Sequence, residues 1–112
     1  MKSPQPYFQL ILRALARIEQ YCPPDKETFL AQSMAQDAIL MRLQEIGENL
    51  ARLRQLDADA FNVIADDSWH KLIGLRNIIS HGYHLIDPEQ ILQIVTEELP
   101  DFAETIKAQH KE

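Results

Sequence analysis

Apolar residues recur at intervals of three and four along almost the whole chain, only three glycines occur, and no segment sustains the alternation of a half-buried strand. Stripes of that period are buried by packing helix on helix, so the expected fold is all-α, a four- to five-helix up-and-down bundle. The 112 residues suit a single domain spanning 1–112, and an apolar content of 46% is enough for a real core.

The first six residues, with Pro4 and Pro6, are expected to be a flexible arm. Phe8, Ile11, Leu12, Leu15 and Ile18 then form the stripe of a first helix that stops before Pro23 and Pro24. Asp25 can cap a helical segment starting at Lys26, which runs, with a break near Ser33, into a long helix ending around Leu56. A short piece from Ala58 to Ile64 leads to Asp66, Asp67 and Ser68, any of which can cap a helix starting near Trp69. Asp87, Pro88 and Gln90 make a capping-box-like start for a helix carrying Ile91, Ile94, Val95 and Leu99, and Pro100 breaks it or opens the last helix through Phe102 and Ile106.

The long helix carries more apolar surface than one core requires. Ile39, Leu43, Ile46, Leu50 and Leu53 form one stripe, which Leu40, Gly47 and Ala51 broaden. The helix is therefore either central to the bundle or buries a second face against another chain, and a homodimer is the favoured expectation. Gly47 and Gly74 lie inside helices, where each costs about 1 kcal/mol relative to alanine, so close helix crossings are expected at both.

A net charge of −6 makes the average field of the chain repel nucleic acid and attract no anionic membrane. With one cysteine, Cys22, neither an intramolecular disulfide nor a Cys-rich zinc cluster is possible. No apolar run approaches the roughly 20 residues of a membrane span, and a cytoplasmic, membrane-free protein is expected. One local exception to the acidic balance stands out: Trp69 through Ile86 contains His70, Lys71, Arg76, His81 and His84 and no Asp or Glu. It reads either as an anion site or as a buried helix that lacks surface charge.

Within it lies Arg76-Asn77-Ile78-Ile79-Ser80-His81-Gly82-Tyr83. On a helix Asn77 and His81 share a face, whereas Arg76 and His81 diverge by about 140°. Three routes bring them together: the reach of the arginine side chain, loss of helical geometry with Gly82 as a left-handed residue and Tyr83 packing back on Ile78, or a two-fold axis that pairs two copies. A histidine at a helix end is a candidate proton-transfer group near neutral pH. Cleavage of RNA by its own 2′-hydroxyl needs a base, an acid and positive charge on the phosphorane; Arg76 could supply the charge, Asn77 an orienting donor and His81 the proton transfer. The spacing alone also fits a histidine that only caps its helix. Lys71 could hold RNA phosphate. Asp37 and Glu48, eleven apart, share a polar stripe with Glu45 and Arg52, which reads as a solvated face or as part of a cleft. His81 and His84 lack a third ligand, so no metal and no cofactor is expected.

The run W-H-K-L-I-G-L-R-N-I-I-S-H-G-Y-H-L-I-D, preceded by Q-D-A-I-L-M-R-L-Q-E-I-G-E and followed by I-V-T-E-E-L-P, resembles the HepT family of HEPN-domain proteins, the toxin half of MntA–HepT toxin–antitoxin pairs. The resemblance extends over nearly the entire chain. It implies a HEPN bundle, a homodimer whose cleft is lined by the R-x4-H motif of both subunits, and metal-independent endoribonuclease activity. By position Arg76 and His81 fill that motif and Asn77 is the polar residue beside the arginine. The extended motif R-x4-H-x-Y is completed by Tyr83, the tyrosine to which, in relatives, a nucleotidyltransferase antitoxin transfers AMP. The added phosphate charge would compete with RNA for Arg76 and His81. What the resemblance implies is thus a type VII-like toxin silenced by an MntA-like nucleotidyltransferase. The alternative is a catalytically silent HEPN module that binds nucleotide or protein and scaffolds the nucleotidyltransferase.

Overall fold

A computed structural model describes residues 3–110 of the protein. Residues 1, 2, 111 and 112 lie outside the described residues, and so does the side chain of Tyr83, on which the expected modification falls. Four longer helices build an all-α bundle: α1 (Gln5–Tyr21), α3 (Ser33–Leu56), α5 (Asp67–Gly82) and α7 (Leu99–Gln109). Three short ones connect them: α2 (Lys26–Ala31), α4 (Ala58–Ile64) and α6 (Pro88–Gln93). The short helices start where aspartates meet the orphan N–H groups of a first turn: Asp25 accepts from Thr28 N–H at 2.8 Å, Asp57 from Ala60 N–H at 3.1 Å and Asp87 from Glu89 N–H at 3.0 Å. The break expected near Ser33 falls at Gln32, whose extended backbone separates α2 from α3.

The 24 residues of α3 span about 36 Å, most of the molecule's 46 Å long axis. It is the central helix, flanked by α1 and α5 and touched by α2, α4 and α6. Ile39, Leu43, Ile46 and Leu50 are fully buried, and Leu40, Gly47, Ala51 and Leu53 are buried beside them. Both apolar stripes are thus covered within one chain, as the central position requires, while Met34 and Met41 of the same helix stay exposed. Trp69, from the start of α5, closes the core edge-on to Phe61 of α4 and Phe102 of α7, with ring centroids 5.5 Å away in each case.

Four local expectations are corrected. Residues 5 and 6 are not part of a flexible arm, because Pro6 sits in the first turn of α1, where its missing N–H costs nothing, and the Gln5 side-chain amide donates to Gln109 O at 3.1 Å, tying α1 to the end of α7. Gly82 is not left-handed; it is the last residue of α5, and the chain passes directly into a 3₁₀ turn, Tyr83–Leu85. Gly47 lies at a tight crossing as expected, but Gly74 does not: a Cβ there would meet nothing within 4 Å. The helix after Asp87 is also not one regular piece, since a π-helical turn, Ile94–Glu98, joins α6 to α7. In that turn Leu99 N–H reaches back to Ile94 O, a widening that accommodates Pro100, which cannot donate and would crowd the preceding carbonyls of a regular helix.

Candidate functional site

The seam between α3 and α5 brings the motif residues of α5 against the polar stripe of α3. Gly47 makes the approach possible: a Cβ built on it would lie 2.5 Å from Leu72 O and 3.2 Å from Arg76 Cβ, closer than packed atoms tolerate. The Leu72 carbonyl and the root of the Arg76 side chain therefore ride over a glycine. Its guanidinium Nη1 donates to Glu48 Oε1 at 2.6 Å, and its Nε is buried with no partner among the described residues. One helical turn along the seam, the Gln44 side-chain amide donates to Ser80 Oγ at 2.8 Å. Glu48 pairs with Arg76 and Gln44 with Ser80, so the two helices run antiparallel and the i, i+4 spacing on each matches the other.

Arg76 and Glu48 are each partly exposed, at 28% and 43% of the side chain, whereas Asn77, Ser80 and His81 are exposed. Because α5 stays regular through Gly82, Asn77 and His81 share a face about 140° or less from Arg76 without converging on it. Asp37 stands farther up α3, where it lines a hollow of about 270 Å³ with Leu40, Met41, Gln44 and Ile79. Asp37 and Glu48 thus border the same seam, Glu48 in direct contact with the motif arginine and Asp37 at the seam's other end.

Lys71 is not brought to the motif. Its Nζ pairs with Glu98 Oε1 of the π-helical turn at 2.7 Å and lines a separate groove with Gly74, Ile78 and Leu85. The Glu98 hydrogen bond, aided by the charge of Glu98 and Asp67, raises the Lys71 ammonium above its ordinary value. The acid-free stretch is consequently acid-free only along the chain, since in space Glu48 and Glu98 sit on its arginine and its lysine. At the opposite end of α5 the Ser68 hydroxyl, and then the Ser68 N–H, donate to Asp66 and hold its carboxyl below the usual range against its own desolvation. Gln44, Ser80 and the seating of Arg76 on Gly47 were not singled out from the sequence; the matched four-residue spacings Gln44–Glu48 and Arg76–Ser80 were the available signal. Among the described residues no three His, Cys, Asp or Glu side chains gather as a metal site, and no helix is long and apolar enough to cross a membrane.

Comparison with known proteins gives this seam a context. The chain is 27% identical over 101 residues to a protein of Methanocaldococcus jannaschii named gamma-glutamylcyclotransferase and putative RNase; the match covers 89% of this chain but 44% of that one, so this chain spans less than half of it. It is 27% identical over 117 aligned positions to the mRNA nuclease HepT of Shewanella oneidensis, covering 86% of this chain and 87% of the relative. A second M. jannaschii protein, named a putative RNase, is 29% identical over 83 residues, covering 74% and 73%. No solved structure matches the chain. The profile of the family described as ribonuclease HepT-like matches residues 11–109, from the first turns of α1 to the end of α7, and the chain belongs to that HepT-like family.

Proposed function

We propose that the protein is a metal-independent endoribonuclease of the HepT toxin type, acting as a homodimer through Arg76, Asn77 and His81. Membership of a ribonuclease-named family over residues 11–109 is the observation that carries this reading. Its chemistry needs only groups this chain owns. His81 takes the proton of the attacking 2′-hydroxyl or gives one to the leaving 5′-oxygen, and the Arg76 guanidinium faces the charge that builds on the phosphorane, with Asn77 as a neutral donor. Of the three routes that could unite Arg76 and His81, the regular end of α5 removes the break at Gly82, and the Glu48 ion pair restrains the reach of the arginine. These two observations support the third route, pairing of two copies, which also supplies both a proton donor and a proton acceptor.

In this reading a partner nucleotidyltransferase transfers AMP from ATP to the Tyr83 hydroxyl, two residues from His81, with release of pyrophosphate and the phenolic proton, placing phosphate charge beside the motif and silencing it. The test is incubation of purified, Tyr83-unmodified protein with total RNA in EDTA. Wild-type protein should leave 2′,3′-cyclic phosphate ends, and His81→Ala should lower the rate by about 10²- to 10⁴-fold while remaining folded. A second reading, a silent binding module, is favoured by the Glu48 ion pair, which already occupies the arginine. Intact RNA under those conditions decides for it.

A further inference from the structure

We propose that Glu48 is the positioning residue for Arg76, holding the guanidinium in the orientation in which it meets the scissile phosphate; this rests on the ribonuclease reading. The arginine is restrained at both ends. At its root, Arg76 Cβ lies 3.2 Å from the place a Gly47 Cβ would occupy, so the crossing of α3 and α5 fixes where the side chain leaves the helix. At its head, Glu48 Oε1 holds Nη1 at 2.6 Å. Between them Nε is buried without a partner among the described residues, while the side chain as a whole keeps 28% exposure. A long flexible side chain that loses this much freedom in the free protein loses little more when phosphate arrives.

The adjacent residues point the same way. Glu48 is supplied by the position after the glycine that admits α5, so one local stretch of α3 provides both the close approach and the acid. A carboxylate next to a phosphate site opposes ground-state binding of an anion by its charge. Its benefit must therefore appear in the transition state, and the two effects have opposite signs in the kinetics.

That opposition sets the test. In Glu48→Gln, which keeps the size and an acceptor oxygen, kcat for RNA cleavage in EDTA should fall about tenfold or more, while KM for RNA stays level or falls. A merely structural glutamate would instead lower the folded fraction, leaving kcat per folded molecule and KM unchanged. The second arm reads anchoring without activity: the ¹⁵Nε–H resonance of Arg76 should be ordered in the wild type and lose order in Glu48→Ala. Wild-type kinetics in Glu48→Gln, or a rise in KM at constant kcat, overturns the proposal. An Arg76 head group as mobile in the wild type as in Glu48→Ala overturns it as well. If wild-type protein cleaves no RNA, the ribonuclease reading falls, and the anchoring of Arg76 by Glu48 is still decided by the resonance arm.

Discussion

A cation's place along the chain does not say which site it serves, and Lys71 shows the difference between chain and space. Its partner Glu98 lies 27 residues on, across the π-helical turn, a separation no sequence spacing encodes. Lys71→Ala is expected to change RNA cleavage less than about twofold, since Lys71 lines a groove separate from the motif arginine; a fall comparable to that of Arg76→Ala would return Lys71 to the site. The pairing also has a pH signature. Glu98 raises the folded-state pKa of Lys71 above 10.5, so its stabilisation is full below the unfolded value and is lost as pH rises through the folded one. Denaturation midpoints of wild type and Lys71→Ala should differ slightly at neutral pH and converge above pH 10.5. Asp66 behaves in the opposite sense. The Ser68 hydrogen bonds lower it from 3.8, so its contribution is present above that value and disappears as pH falls below it; Ser68→Ala should lower the denaturation midpoint throughout the neutral and alkaline range and converge with the wild type as pH falls below 3.8.

Helices were readable where a local rule decides them. Asp25, Asp57 and Asp87 mark starts because a carboxylate satisfies backbone donors two or three residues ahead, a relation contained within one turn. The π-helical turn before Pro100 was not readable, because a proline announces only that a regular helix must yield, not whether it ends or widens. The two helical glycines separate the same way. Gly47 has Leu72 O 2.5 Å from its absent Cβ, while Gly74 has open space, though composition treats them alike. Gly47→Ala is therefore expected to destabilise by about 1–3 kcal/mol, overpacking outweighing the gain in helix propensity. Gly74→Ala should stabilise by about 0.4–1 kcal/mol in the isolated chain. Urea denaturation of the pair checks both signs, and a stabilised Gly47→Ala would mean that α3 and α5 are not held at this distance. Because the Gly47 crossing also seats Arg76, its alanine variant should lose cleavage in excess of its unfolded fraction.

At the scale of the molecule, the motif residues were legible one by one, but whether they form a site was not, because convergence depends on helix geometry beyond the motif. Arg76 and His81 sit on one regular helix about 140° apart, and no bend within the chain brings them round. The two buried apolar stripes of α3 do not argue for a second copy, since one chain covers them, although Met34 and Met41 of the same helix stay exposed. The argument for pairing rests instead on this angular divergence together with the seating of Arg76. If two copies share a cleft, Arg76→Ala and His81→Ala are each inactive alone, yet a mixed dimer holds one intact arginine and one intact histidine. Co-expression of the two variants with different tags, followed by tandem purification of the heterodimer, should then recover measurable RNA cleavage that neither homodimer has. Sedimentation should show a species of twice 12.9 kDa in the wild type and both variants. A heterodimer as inactive as its parents would mean that each cleft needs both arginines or both histidines. A monomer that cleaves RNA would break the two-fold account and require Arg76 to leave Glu48 within a single chain.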